Sequence, residues 1–240
     1  MQREQNLAEA FVELADTLVA DFDVVDFLHV LANRCVDLLG VQTAGLMLAD
    51  QRGQLRLMAS SSEQSRLLEL FELEIDEGPC LTCYHTGQPT ADTNLEQPDA
   101  RWPRFGRQAG AAGFGSVHAL PLRLRAEIIG VLNLFCAAAE PLRDQDARMG
   151  QALADVATIG LLQHRAIEHR QVLAEQLQGA LNSRVLVEQA KGVLAERLHL
   201  GMPEAFHALR THARRNNQRL SDIAQAIIDG TIDTTHFVSS

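Results

Sequence analysis

Three short amphipathic stripes follow one another near the end of the chain, and they confine that stretch to a small all-helical unit. On the first, Leu186, Ala190, Val193, Leu194 and Leu198 fall on one helical face. On the second, Pro203 suits the opening turn after Gly201, and Ala205, Phe206, Leu209, His212 and Ala213 define the side expected to be buried. Leu220, Ile223, Ala224, Ile227 and Ile228 repeat the spacing on a third, with Ser221 as candidate N-cap and Gly230 as its end. Three helices with one stripe each can close a small core.

The outward residues of this unit differ in charge from the rest. Between Arg184 and Arg219 stand seven Lys or Arg against three Asp or Glu, a balance of +4 in a chain whose net charge is −10, so the remainder carries −14. Such asymmetry marks an interaction surface. Arg210 and Arg214 lie at i and i+4, where like charges repel by a few tenths of a kcal/mol, and Arg215 adds to the cluster. An anionic partner relieves that repulsion, whereas solvated arginines need no partner. Gly192 sits inside the first helix at a cost of about 1 kcal/mol relative to Ala. Beside Lys191, its missing side chain either admits a nucleic-acid backbone or permits tight helix packing.

At 240 residues, with 46% hydrophobic content, the chain can hold one sizeable core besides this module. Its longest nearly apolar run, Ile128 to Ala139, is interrupted by Asn133 and is shorter than the roughly 20 residues of a membrane span. The opening MQREQNLAEAF puts polar residues where a secretory signal needs an apolar core, and four cysteines do not make a secreted disulfide framework. A cytoplasmic protein with no membrane partner is expected.

Ahead of the basic module the periodicity changes twice. Leu7, Phe11, Leu14 and Leu18 form one helical face, and Phe27, Leu28, Leu31, Cys35, Leu38 and Leu39 form another that stops at Gly40. Thr43 to Ala49 and Leu55 to Ala59 read as strands about an Asp50-Gln51-Arg52-Gly53 turn, and Ser116 to Leu122 and Glu127 to Cys136 as a second pair. Between the pairs, Asp76 to Gly115 is expected to supply loops and short helices over one sheet face. From about Asp144 the chain is helical again. Ala152, Ile159, Ala166, Leu173, Ala180 and Val187 recur every seven residues, a seam weakened by Gln163 and Arg170 in its companion row. It suits a helix that pairs with its own copy or with the N-terminal helix, or an exposed spacer.

Residues Ser183-Arg184, Glu188-Gln189-Ala190-Lys191-Gly192, Glu204-Ala205-Phe206, Leu209-Arg210, Ala213-Arg214, and Leu220 with Ala224 carry a resemblance to the ANTAR domain, a three-helix RNA-binding antiterminator module. The preceding region resembles a GAF sensor domain through Asp76-Glu77-Gly78-Pro79-Cys80, Arg101-Trp102-Pro103-Arg104-Phe105, Gly113-Phe114, Ser116 to Leu122 and Ile129 to Leu134. The resemblance implies an α+β chain. An N-terminal amphipathic helix at 1–20 precedes a GAF domain at 21–163, an antiparallel sheet flanked by helices. A helical linker at 164–180 then leads to an ANTAR unit at 181–235. It implies binding to paired hairpins of a nascent transcript by a homodimer, with Arg184, Gln189, Ala190, Lys191, Gly192, Arg210, Arg214 and Arg215 as RNA-binding candidates. Duplex DNA is the alternative target.

In the sensor half, Cys80 and Cys83 form a CxxC that admits a structural, redox or zinc reading. Zinc wants further ligands, and only His85 and His118 could complete a set if the fold gathers them. Cysteines at 35, 80, 83 and 136 do not reproduce the spread loops of a GAF-type methionine sulfoxide reductase. Tyr84, Trp102, Phe105 and His118 join Cys80 and Cys83 as pocket candidates, although a Trp in a chain this poor in aromatics is more often a core residue. No GxSxG, P-loop, HExxH or Rossmann fingerprint is present, so no catalytic residue, metal or cofactor is assigned. The resemblance permits haem, a cyclic nucleotide or a small metabolite as an unidentified small-molecule signal, or an empty pocket used only for dimer packing, and a thiol redox enzyme or sensor at Cys80 and Cys83 is the remaining alternative.

Overall fold

The computed structural model describes residues 2–17 and 23–237. Leu18, the last apolar position of the first expected helix face, and the segment 18–20 lie outside the described residues. The chain divides into two compact units, 1–165 and 166–240.

In the first unit, helices α1 (Gln2–Thr17) and α2 (Val24–Leu39) precede strands β1 (Thr43–Ala49) and β2 (Leu55–Ser60). Helices α3 (Glu63–Ile75) and α4 (Pro79–Thr86), strand β3 (Thr90–Asp92) and helix α5 (Pro103–Ala111) come next. Strands β4 (Ser116–Leu124) and β5 (Glu127–Cys136) complete the sheet, and the long helix α6 (Asp144–Leu198) follows. The five strands are antiparallel throughout, in the order β2-β1-β5-β4-β3.

Local chemistry sets the element ends. The Asp23 carboxylate accepts from Val25 N at 2.7 Å and Asp26 N at 3.2 Å, capping α2, and Gly40 closes that helix at φ +67°. Gly53 takes φ +76° in the β1–β2 turn, where its N–H donates to the Asp50 carbonyl at 2.9 Å. Strands β1, β4 and β5 are buried over nearly all their length because both sheet faces are covered. On one face α1, α2 and residues 153–161 of α6 pack over Leu46, Leu132, Leu134 and Leu122. On the other, α3, α4 and α5 pack over Met47, Val131, Val117 and Phe135.

Two elements depart from the sequence expectation. Helix α3 and strand β3 lie where no regular structure is expected or where only loops and short helices are. The expected linker is an unbroken stretch of α6, which runs on to Leu198 and itself supplies the first helix of the C-terminal unit.

In the second unit, the end of α6, helix α7 (Met202–Arg215) and helix α8 (Leu220–Ile228) enclose a core of Ala190, Leu194, Leu209, Ile223 and Ile227. A 3-10 turn at Thr234–Phe237 brings Phe237 onto it, where the ring stacks on His212 at 4.1 Å. Phe206 is not in this core: it is 36% exposed, while Ala205 and Leu209 on either side take the buried face. Helix α8 starts two residues earlier than expected, with Arg219 rather than Ser221 as its N-cap. Leu209 is fully buried. Leu209→Ala should destabilise this unit by about 2–5 kcal/mol. Hydrogen exchange should show lost protection in α7 and α8, with the amides of β5 unaffected.

Candidate functional site

The strand register places Gly45, Asn133 and Ala119 side by side across β1, β5 and β4, on the face covered by α3 and α4. Above them, α3 turns two carboxyls inward one turn apart. Glu69 and Glu72 are both fully buried. Asn133 Nδ2 donates to Glu69 Oε1 at 3.0 Å, and the Cys80 backbone N–H donates to Glu72 Oε1 at 2.8 Å. Each carboxyl occupies space that a glycine leaves open. A Cβ built on Gly45 would lie 2.2 Å from the Glu69 oxygens, and one on Gly78 would lie 2.1 Å from Glu72 Oε1. Beside them Thr43, Ser61, Ser62 and Ser65 link their hydroxyls at 2.7–3.1 Å, and Ser60 joins through Ser65 at 2.6 Å.

No Lys, Arg or His among the described residues pairs with either carboxyl, and burial therefore favours their neutral forms. Desolvation pushes Glu69 up to about 8 against the hydrogen bonds from Asn133 and Ser60, and raises Glu72 well above its ordinary value. These residues gave no sequence signal beyond the polar interruption at Asn133, because a carboxylate on a buried helix face breaks the apolar period by which such faces are read.

The cysteine pair is buried in the same layer. Cys80 Sγ lies 3.4 Å from Met47 Sδ, and both Cys80 and Cys83 are fully buried free thiols. Burial first, then the Glu72 charge, drives both upward, Cys83 to about 12. A thiol held in its neutral form is a poor nucleophile and a poor metal ligand. Among the described residues no group of three or more His, Cys, Asp and Glu is arranged to hold a metal ion.

The aromatic pocket candidates separate. Trp102 is 4% exposed and Phe105 fully buried, both in the core under α5. Trp102 Nε1 donates to Thr82 Oγ1 at 3.1 Å, while Arg101 covers the ring at 4.2 Å. Glu77 Oε1 accepts from Arg104 N at 2.6 Å and Phe105 N at 3.2 Å, which caps α5. Tyr84 instead lines an open groove with Gly53, Leu81 and His85. His118 points to the opposite sheet face from Cys80, because it alternates with Val117 and Ala119 along β4. There its Nε2 accepts from Leu142 N at 3.3 Å, and burial lowers its proton affinity. The fold therefore does not gather His118 with the CxxC.

In the second unit Arg184, Gln189, Arg210, Arg214 and Arg215 are exposed. Among the described residues none of these four arginines has an ion-pair partner. Lys191 is held closer, its Nζ 2.8 Å from Glu188 Oε2 and 5.5 Å from the centre of the Phe206 ring. Ala190 is fully buried and serves the core, so it is corrected from a contact residue to a packing residue. A Cβ on Gly192 would meet nothing within 4 Å, so helix packing is not what calls for the glycine.

Two expectations follow. A carboxyl whose folded value lies above its unfolded value holds its proton where the unfolded chain has lost it. Stability therefore falls as pH rises from the ordinary value of 4.5 to about 8 for Glu69, by roughly 1.4 kcal/mol per pH unit. Urea denaturation across that window should show the decline, and Glu69→Gln should remove the share due to Glu69 while the share due to Glu72 persists. Alkylation followed by mass spectrometry should label half-buried Cys136 before Cys35, Cys80 or Cys83 in the native protein. Fast labelling at Cys80 or Cys83 would instead restore the redox reading.

A family model described as a GAF domain matches residues 23–161, and one described as an ANTAR domain matches residues 175–228. No curated protein matches the chain. Among solved structures, the GAF domain of a phosphoenolpyruvate-protein phosphotransferase from Coxiella burnetii is similar at 15% identity and a TM-score of 0.54, covering 69% of this chain and 98% of its own. The free methionine-R-sulfoxide reductase of Neisseria meningitidis, solved with its substrate, is similar at 19% identity and a TM-score of 0.54, covering 69% and 91%. A corresponding domain from Acinetobacter gives 16% and 0.52, covering 70% and 98%. At these identities the likeness shows the fold alone. With a GAF match over more than half its length and an ANTAR match behind it, the chain belongs to the GAF family and joins that sensor domain to an ANTAR domain.

Proposed function

We propose that this chain is a signal-responsive transcription antiterminator, in which the GAF domain receives a signal and the ANTAR unit binds paired hairpins in a nascent transcript. The observation that carries the reading is the set of exposed, unpaired arginines on the ANTAR unit of a chain with net charge −10. A surface of this kind gains by neutralising phosphates, and Arg planes can stack on or hydrogen-bond the unpaired bases of a hairpin loop. The RNA-facing set is Arg184, Gln189, Lys191, Gly192, Arg210, Arg214 and Arg215. The open space over Gly192 allows a backbone to approach beside Lys191.

Two hairpins call for two ANTAR units, which a homodimer supplies. The seven-residue seam supports pairing. Ile159 is 44% and Leu173 48% exposed, Ala166 and Ala180 are exposed too, and Leu177 of the companion row is 58% exposed. An apolar row of this length is stabilised by covering it with a second copy. No helix among the described residues is long and apolar enough to cross a membrane. The reading places the protein in the cytoplasm, where transcripts emerge. GAF and ANTAR domains are regulatory modules, and no catalytic role is assigned to this chain.

Binding of the full chain to a transcript with two adjacent hairpins, against duplex DNA of the same sequence, tests this over a range of salt. RNA should be preferred. Arg210→Ala should weaken binding about fivefold, roughly 1 kcal/mol, and lower the salt dependence by about one phosphate contact, and Lys191→Ala should weaken it by a smaller factor because Glu188 already pairs that charge. Equal or tighter binding to duplex, unaffected by either substitution, would move the target to DNA.

A further inference from the structure

The buried polar cluster of the sensor half has too many acceptors for the donors that face it. Glu69 Oε2, Glu72 Oε2 and Asn133 Oδ1 are all buried and have no hydrogen-bond partner. Asn133 is fully buried and directed into the cluster, since its amide nitrogen already donates to Glu69. Buried acceptors left without donors are costly, so the group calls for something that brings N–H or O–H.

The surroundings narrow what that is. Strand β1 presents Gly45 and Met47, β2 presents Ser60, β5 presents Asn133, and α4 presents Cys80 and Cys83; none is basic. Protons on the two carboxyls supply one donor each for the three open acceptors, so one remains to be met. No metal-holding group exists among the described residues. A compact cation with several N–H donors meets all three acceptors at once and supplies the missing positive charge.

Resting on the reading of this domain as a sensor, we propose that Glu69, Glu72 and Asn133 form its ligand site, and that the ligand is a small organic cation bearing N–H donors, a primary ammonium or a guanidinium. Binding replaces the proton of one carboxyl with the ligand's own donors, so that one acid ionises against the single positive charge while the other keeps its proton. Glu72 is tied through the Cys80 N–H to the start of α4, and Glu69 through Asn133 to the centre of the sheet. Drawing the carboxyls from their glycine notches therefore shifts α3 against β1 and α4, which gives the ligand its differential effect on conformation.

Isothermal titration calorimetry on the full chain tests this with methylammonium, with guanidinium below denaturing concentration, and with tetramethylammonium, which has the charge but no N–H. Two buffers of different ionisation heat read proton release. Expected are saturable binding of methylammonium or guanidinium, release of about one proton, and affinity that rises with pH. Tetramethylammonium should bind at least about tenfold more weakly. Glu69→Gln and Glu72→Gln, neutral and close to isosteric with the protonated acids, should each lower affinity about tenfold or more while circular dichroism shows an intact fold.

Absence of saturable binding by both N–H probes, equal binding of tetramethylammonium, or indifference to both substitutions would overturn the assignment. The hairpin assay separates this from the wider proposal. Intact RNA binding without cation binding sinks only the ligand site, and cation binding without RNA binding sinks only antitermination.

Discussion

A sheet whose central strands are apolar on both sides must be covered twice, and everything distinctive in the first unit follows from how the second cover is made. One face meets an ordinary apolar layer of α1, α2 and part of α6, in which Leu28, Leu31, Leu132 and Leu153 interlock. The other face meets a split layer. Trp102, Phe105 and Phe135 form an apolar half under α5, and beside it Glu69, Glu72 and Asn133 form a polar half under α3. Gly45 and Gly78 make that polar half sterically feasible, since a methyl group at either position would occupy the place of a carboxylate oxygen.

The polar half is stable only with its charge suppressed or answered. An unpaired carboxylate in a dry interior costs several kcal/mol, far more than the hydrogen bonds from Asn133 and from the Cys80 backbone can return. Protonation is the cheaper state in the absence of a cation, and it leaves an acceptor unfilled. The cysteines obey the same logic. Their burial beside Glu72 makes a thiolate doubly unfavourable, which removes the property on which redox or zinc chemistry at a CxxC depends. A motif that invites chemistry by spacing alone is here a pair of buried free thiols held in their neutral form.

What the sequence disclosed and what it hid divide along physical lines. Gly40, the Asp50 to Gly53 turn and the Glu127–Cys136 strand were legible because each is specified locally, by a positive φ, a tight turn or a continuous apolar run. Helix α3 escaped because three of its four buried positions, 65, 69 and 72, hold Ser, Glu and Glu beside Leu68, so hydropathy does not report the face. His118 was drawn toward the CxxC by its chemistry, although alternation along β4 sends it to the other side. Phe206 shows the limit of the stripe argument. Ala205 and Leu209 satisfy the buried face of α7, and the neighbouring ring is left to pack against Lys191 and meet solvent.

The position of Phe206 bears on how the ANTAR surface is built. Lys191 is only 16% exposed, and Glu188 neutralises it at 2.8 Å, so it is poorly placed to act as a free phosphate anchor. The unpaired arginines of α7 are better placed for that role, since their mutual repulsion is relieved by any phosphate that approaches. Lys191 then contributes most if an incoming anion draws it from Glu188, which makes its share of affinity depend on competition within the protein. Arg210, with no such competitor, contributes in full. The two residues thus differ in kind, one a standing charge and one a charge released on contact, although the sequence presents them as equivalent cations.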